Sequence, residues 1–172
     1  MSYSGEQRYA EMQLAMGVLG VTDYHILHLE LADEATYHSK LDNHPRVELT
    51  TLVEAHLLSF QPTILLIPSV TKHQDHSRLH EAALAAARPY FWNGSICVYE
   101  TDGELDFHPN FYVPLLAAEL STKCEALEAY QTQLAEPPHP VSVQSVQVKA
   151  QYRGQNIQEA YAEAFQMLRL RG

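Results

Sequence analysis

Pro62-Thr63-Ile64-Leu65-Leu66-Ile67-Pro68-Ser69-Val70-Thr71-Lys72-His73-Gln74-Asp75-His76 is the stretch on which the reading of the whole chain turns. Four consecutive apolar side chains bounded by prolines predict a strand over 62–68 buried on both faces. A polar loop, Ser69 to Gln74, leads into an Ala-rich segment that predicts a helix from about Asp75 to Arg88. Strand, loop and helix in that order make half of a βα crossover. In open α/β sheets, functional groups gather at the carboxyl ends of the strands. The loop after Ile67 is therefore where chemistry is sought first.

Outward from this stretch the pattern repeats. Upstream, Glu6 to Leu19 reads as an amphipathic helix stopped by Gly20, with Ala10, Leu14, Met16 and Val18 among polar residues. Val21 to Glu30 alternates and predicts a short strand, and Asp33 to His44 reads as polar loop. Pro45 opens a second helix, because its fixed φ suits a first turn that has no use for its missing N–H. Val47, Leu49, Leu52, Val53, His56 and Leu57 give that helix one apolar face. Downstream, Ser95 to Tyr99 predicts a strand and Leu116 to Leu134 a helix. Glu136-Pro-Pro-His-Pro140 breaks the chain, and Gln158 to Leu170 leaves helix and strand both open. Helices alternating with buried strands imply an α/β fold: a Rossmann-like, largely parallel sheet flanked by helices, in a single domain over residues 1–172.

Composition narrows the partners. With 172 residues, 46% of them apolar and 19% charged, the chain can bury a core without disulfides or structural metals. A net charge of −10, with eleven Lys and Arg that form no stripe, excludes nucleic acid as the expected partner. A small neutral or cationic substrate fits better. Cys97 and Cys124 are far apart and form no Cys-x-x-Cys pair, so they read as buried cytosolic thiols. The amino terminus has no apolar signal-peptide core and no run is long enough to span a bilayer, so a cytoplasmic protein with no membrane partner is expected. Neither Gly-x-Gly-x-x-Gly nor Gly-x-x-x-x-Gly-Lys-Ser/Thr occurs, which sets a nucleotide-binding fold aside.

Ten histidines stand out in so short a chain. His73-Gln74-Asp75-His76 sets two imidazoles and a carboxylate at a helix mouth, donors that suit a borderline metal such as Zn²⁺. Asp75 is placed to cap the helix or to hold an imidazole by its N–H. Taken alone, the same four residues also describe a solvated loop with a capping Asp, a cluster that chance supplies easily in a histidine-rich chain. His80, one turn beyond His76, reads as a partly buried helix histidine. His25, His28, His38, His44, His56, His108 and His139 have no partner at metal-ligand spacing.

The flanking sequence adds a resemblance. Arg8-x-x-Glu11-x-x-x-Ala15-x-x-x-Leu19-Gly20 resembles the first conserved helix of the PIG-L (LmbE-like) N-deacetylases, and the strand with His73-Gln74-Asp75-His76 resembles their His-x-Asp-His loop. Phe107-His108-Pro109-Asn110-Phe111-Tyr112-Val113 is similar to their Phe-x-Pro-Asn strand. Lys123-Cys124-Glu125-Ala126-Leu127 with Tyr130-Gln131-Thr132-Gln133 follows their next helix, and Arg153-Gly154 with Ala162-Glu163-Ala164-Phe165 their closing motif. The resemblance implies a zinc-dependent hydrolase in which metal-activated water removes an N-acetyl group from an amino sugar or related amine. It implies His76 as a metal ligand, His73 as the group that stabilises the oxyanion or protonates the departing amine, and Asp75 as the carboxylate that orients a neighbouring imidazole. Arg8 and Asp33 fall where substrate contacts are expected. Self-association is left open.

In one respect the sequence departs from this pattern. The family's Ala-His-Pro-Asp-Asp-Glu-like motif, source of the remaining ligands and the general base, is missing, and no acidic pair follows Asn43-His44-Pro45. Ser4-Gly5-Glu6 resembles the turn after the family's second strand, which would place Met1 just beyond that motif. The expectation is therefore a mis-called start or a truncated or split gene, with N-terminal strands missing, an incomplete zinc site and no activity in isolation. The alternative is a non-catalytic binding or regulatory module that retains the fold.

Overall fold

The computed structural model describes residues 5–27, 41 and 44–172. In chain order its elements are α1 (Gly5–Val18), α2 (Arg46–Phe60), β1 (Ile64–Pro68), α3 (Gln74–Ala86), β2 (Ser95–Tyr99), β3 (Phe111–Pro114), α4 (Ala117–Glu128), α5 (Val143–Gln155) and β4 (Ala162–Arg169). The fold is α/β, as the alternating pattern requires. The four strands form one sheet in the order β1-β2-β4-β3. β1 and β2 pair in parallel from Ile64 opposite Ser95 to Pro68 opposite Tyr99, whereas β4 runs antiparallel to β2, so the sheet is mixed. Two compact units divide the chain: Met1–His38 with Tyr112–Glu163, and Ser39–Phe111 with Ala164–Gly172.

The second unit carries the stretch that opened the sequence reading. Pro45, at φ −54°, stands immediately before α2, whose Leu49, Val53 and Leu57 recur every four residues on one buried face. α3 turns Ala82, Ala83 and Ala86 inward, and side chains this small let its backbone lie close to the sheet. Val53 and Leu57 from α2, Ala83 and Ala86 from α3, Ile67 from β1, and Ile96 and Val98 from β2 form one core with Ala87 and Trp92. Gly94 is required where it stands: a Cβ there would lie 2.1 Å from the Trp92 ring and 2.8 Å from the Thr63 carbonyl oxygen. The Arg169 guanidinium donates to the carbonyls of Gly94, Ala87 and Trp92, tying β4 to the turn that precedes β2.

The first unit is built on α1, α4 and α5. Leu120 and Cys124 of α4 pack with Ala150 of α5. The Glu11 carboxylate of α1, nearly buried, accepts from the Thr132 N–H at 2.8 Å and its hydroxyl at 2.6 Å. Burial, with the Glu11 charge second, pushes the Tyr130 phenol above its ordinary value. Both cysteines are free and buried, and desolvation raises each thiol.

Several sequence expectations change. β1 is not buried on both faces: Ile64 and Leu66 are 56% and 55% exposed, while Ile67 is 2% exposed. Leu65 and Ile67 lie on the face that packs in the core, while the alternate side chains Ile64 and Leu66 lie on the other face, which is exposed among the described residues. Residues 21–26 form no strand, and the remainder of that segment, 28–30, lies outside the described residues, as does most of the 33–44 loop. The helix expected to reach Leu134 ends at Glu128, and the open carboxy-terminal segment resolves as β4. Among the described residues no helix is long and apolar enough to cross a membrane.

Candidate metal-binding loop

The loop between β1 and α3 is held from several sides. Ser69, fully buried, donates its N–H to the Tyr99 carbonyl at 3.0 Å, and its hydroxyl lies 2.5 Å from that of Thr101. The Thr101 N–H donates back to Ser69 Oγ at 3.1 Å, locking the ends of the paired strands β1 and β2 together. Further along, the Leu105 N–H reaches the Val70 carbonyl at 2.9 Å, and Thr71 bridges Glu104. Thr71 is 4% exposed and its carbonyl accepts the Ser77 hydroxyl at 2.8 Å.

This frame positions three imidazoles. His73 precedes α3, and its Nδ1 accepts the Asp75 N–H at 3.3 Å. His73 is therefore the side chain that caps the helix, and the neutral ring carries its hydrogen on Nε2. His76, on the first turn, stacks on His73 with ring centroids 4.7 Å apart and 25° between planes. Its Nδ1 is 3.1 Å from Thr71 Oγ1. His80 holds Nδ1 2.7 Å from the Pro68 carbonyl, which can only accept, so Nδ1 carries the hydrogen and Nε2 the lone pair.

Burial is the main cause that lowers the His76 pKa below its ordinary value, and the His73 charge adds to it; Asp75 and Asp102 act the other way. A depressed pKa keeps the ring neutral near pH 7, the form in which a histidine can ligate a metal.

Asp75 accepts the Leu41 N–H on Oδ1 at 2.9 Å, and its Oδ2 stands 4.0 Å from His73 Nδ1. The carboxylate thus ties residue 41 to the start of α3. Arg8 is exposed on α1, in the first compact unit, and Asp33 lies outside the described residues. Nothing in the sequence singles out Ser69, Thr71, Thr101 and Asp102. Hydroxyl residues in a loop follow no spacing rule, and only the fold reveals their contacts.

Zinc can be tested against these donors. A catalytic zinc takes three protein ligands. Among the described residues no group of three or more His, Cys, Asp or Glu is arranged to hold a metal. The loop offers imidazole donors but, among the described residues, no complete metal centre. Among the described residues, a cleft of about 480 Å³ lies at the other end of β1, lined by Leu57, Pro62, Trp92 and Arg171 among others, away from the histidines.

The sequence profile described as PIG-L, GlcNAc-PI de-N-acetylase, matches residues 2–87. No match is found among curated proteins. Among solved structures, the conserved protein TT1542 from Thermus thermophilus is similar at 22% identity and a TM-score of 0.65, over 96% of this chain and 74% of that one. The N,N'-diacetylchitobiose deacetylase from Pyrococcus horikoshii is similar at 20% identity and a TM-score of 0.61, over 95% of this chain and 63% of its own. Teicoplanin deacetylase Orf2, solved in a zinc-inhibited form, is similar at 18% identity and a TM-score of 0.56, over 70% of this chain and 50% of its own. These likenesses establish the fold that the chain shares with them. The profile matches half of the sequence, residues 2–87, with the His73–His76 loop inside the match, and the chain belongs to the PIG-L family.

Proposed function

We propose that the chain is part of a metal-dependent deacetylase that removes an N-acetyl group from an amino sugar or related amine. The observation that carries this reading is the His73–His76 pair: stacked, fixed at a strand end, and inside the family match. Two of the similar structures are named as deacetylases, one of N,N'-diacetylchitobiose and one of teicoplanin, which supports the substrate class.

In this reading His76 supplies one metal ligand, and the rest of the donor set and the general base lie outside the described residues. A bound metal would supply water activation and polarisation of the acyl carbonyl. His73, with its hydrogen on Nε2, donates to the developing oxyanion or to the departing amine. Asp75 orients a neighbouring imidazole, and Arg8 and Asp33 keep the substrate-binding role that the family resemblance implies for them. The protein is cytoplasmic, acts on a small molecule and has no nucleic-acid or membrane partner. The single domain of this reading spans residues 1–172.

Metal analysis and acetate release test this. The isolated chain should hold zinc weakly and below one equivalent; tight one-to-one zinc would contradict the half-site. In a form extended by an upstream in-frame His-Pro-Asp-Asp segment, His76→Ala should abolish metal retention, whereas His73→Ala should chiefly lower kcat. Equal metal loss in both would make the role assignment wrong. The absence of a His-Pro-Asp-Asp motif from the sequence supports a second reading, a non-catalytic module. A stop codon directly upstream, with no separately encoded partner, would favour it.

A further inference from the structure

Three contacts converge on the Thr71 hydroxyl. The His73 N–H donates to Oγ1 at 2.9 Å, the His73 carbonyl oxygen lies 3.4 Å away, and His76 Nδ1 lies 3.1 Å away. A hydroxyl has one hydrogen to give and two lone pairs to offer. The backbone N–H occupies one lone pair. The His73 carbonyl can only accept, so the hydroxyl hydrogen is used there. His76 Nδ1 then donates to the second lone pair, and all three contacts are satisfied at once. The competing arrangement gives the hydroxyl hydrogen to Nδ1 and uses two contacts of the three.

We propose that Thr71 is a positioning residue that holds His76 in the Nδ1–H tautomer and so presents the Nε2 lone pair outward. The tautomer follows from the geometry alone; its value for ligation rests on the deacetylase reading above. The neighbouring stacked ring is set the other way, because His73 Nδ1 accepts the Asp75 N–H. One loop thus offers an Nε2–H from His73 and an Nε2 lone pair from His76. A hydrogen bond to the second ring nitrogen commonly selects which nitrogen meets a metal. Thr71 suits this role because it is buried, its χ1 is stiffened by β-branching, and its carbonyl is pinned by Ser77.

Two-bond ¹⁵N–¹H correlation spectra of the metal-free 172-residue chain, recorded at about pH 8 so that imidazoles of ordinary pKa are neutral, read the tautomer of each ring. The wild-type chain should show His76 protonated on Nδ1, with His73 protonated on Nε2. Thr71→Val, nearly isosteric but without the hydroxyl, should lose the Nδ1–H preference of His76, and Thr71→Ser should restore it. The unchanged His80 pattern reports that β1 and α3 remain folded in each variant. An Nε2–H His76 in the wild-type chain overturns the proposal, as does a Thr71→Val spectrum identical to wild type. If Thr71→Val does not fold, the wild-type and Thr71→Ser spectra still decide the tautomer: Nδ1–H in both supports the assignment and Nε2–H in either overturns it. Nδ1–H spectra together with a complete lack of acetate release from an extended, metal-loaded form would sink the deacetylase reading and leave the Thr71 assignment standing.

Discussion

β1 and β2 are neighbours of equal length in the same parallel pairing, yet their side chains have opposite fates. β1, Ile64-Leu65-Leu66-Ile67-Pro68, is the more apolar by sequence, and it exposes Ile64 and Leu66. β2 opens with Ser95 and carries a cysteine, and it buries its first four residues. Position explains the difference. β2 lies between β1 and β4, with Ile96 and Val98 on the core and Cys97 Sγ 3.5 Å from Met167 Sδ. β1 is buried only on the face that packs in the core, where Leu65 and Ile67 lie, while Ile64 and Leu66 on its other face are exposed. A continuous apolar run thus reports that a strand forms, while the neighbours it acquires set how much of it is buried.

Substitutions on the two faces of β1 should separate most widely. Ile67→Ala removes a side chain that is 2% exposed and packed in the core, and should cost about 2–5 kcal/mol in urea unfolding. Gly94→Ala comes next, because the added methyl meets both the Trp92 ring and the Thr63 backbone oxygen at the point where the Ser95 N–H donates to that oxygen at 2.9 Å. Overpacking of this kind costs about 1–3 kcal/mol. A Gly94→Ala midpoint equal to wild type would show that the β1–β2 entrance is looser than its geometry. Leu66→Thr should change stability by no more than about 0.5 kcal/mol, the range of exposed positions. A loss at Leu66 as large as that at Ile67 would mean that something covers this face in solution.

The same contrast explains how much of the fold is legible in the sequence. α1, α2, α3 and β2 are readable in position, with Gly20 and Pro45 as boundary residues, but the apolar side read on α1 is not its buried one: Leu14 and Val18 are exposed, and Glu11 and Ala15 are buried. β4 is ambiguous because Ala-Glu-Ala-Phe-Gln-Met-Leu-Arg consists mostly of good helix formers; pairing with β2 and the three carbonyls around Arg169 override that propensity. α5 escapes a sequence reading because Gln147, Gln151 and Gly154 blur its apolar face, although Gly154 is required by its approach to Glu159 and Tyr161. At the site, the histidines are visible as a cluster at a strand end. The hydroxyls that orient them, Thr71 above all, become visible only once the loop closes on itself.

The smallest effect concerns the charge on His76. Its folded-state pKa is lowered, first by burial and then by His73, so the unfolded chain binds this proton more readily. The stability this ring contributes is present above its ordinary value of about 6.5 and is lost as pH falls from there through the folded midpoint. A ¹H titration of the metal-free chain should place the His76 midpoint below that ordinary value. Asp102 opposes the shift, because its negative charge favours the imidazolium. Asp102→Asn should therefore move the His76 midpoint lower still. A midpoint that rises in Asp102→Asn would show that the aspartate acts on the loop's shape instead of on the ring's charge.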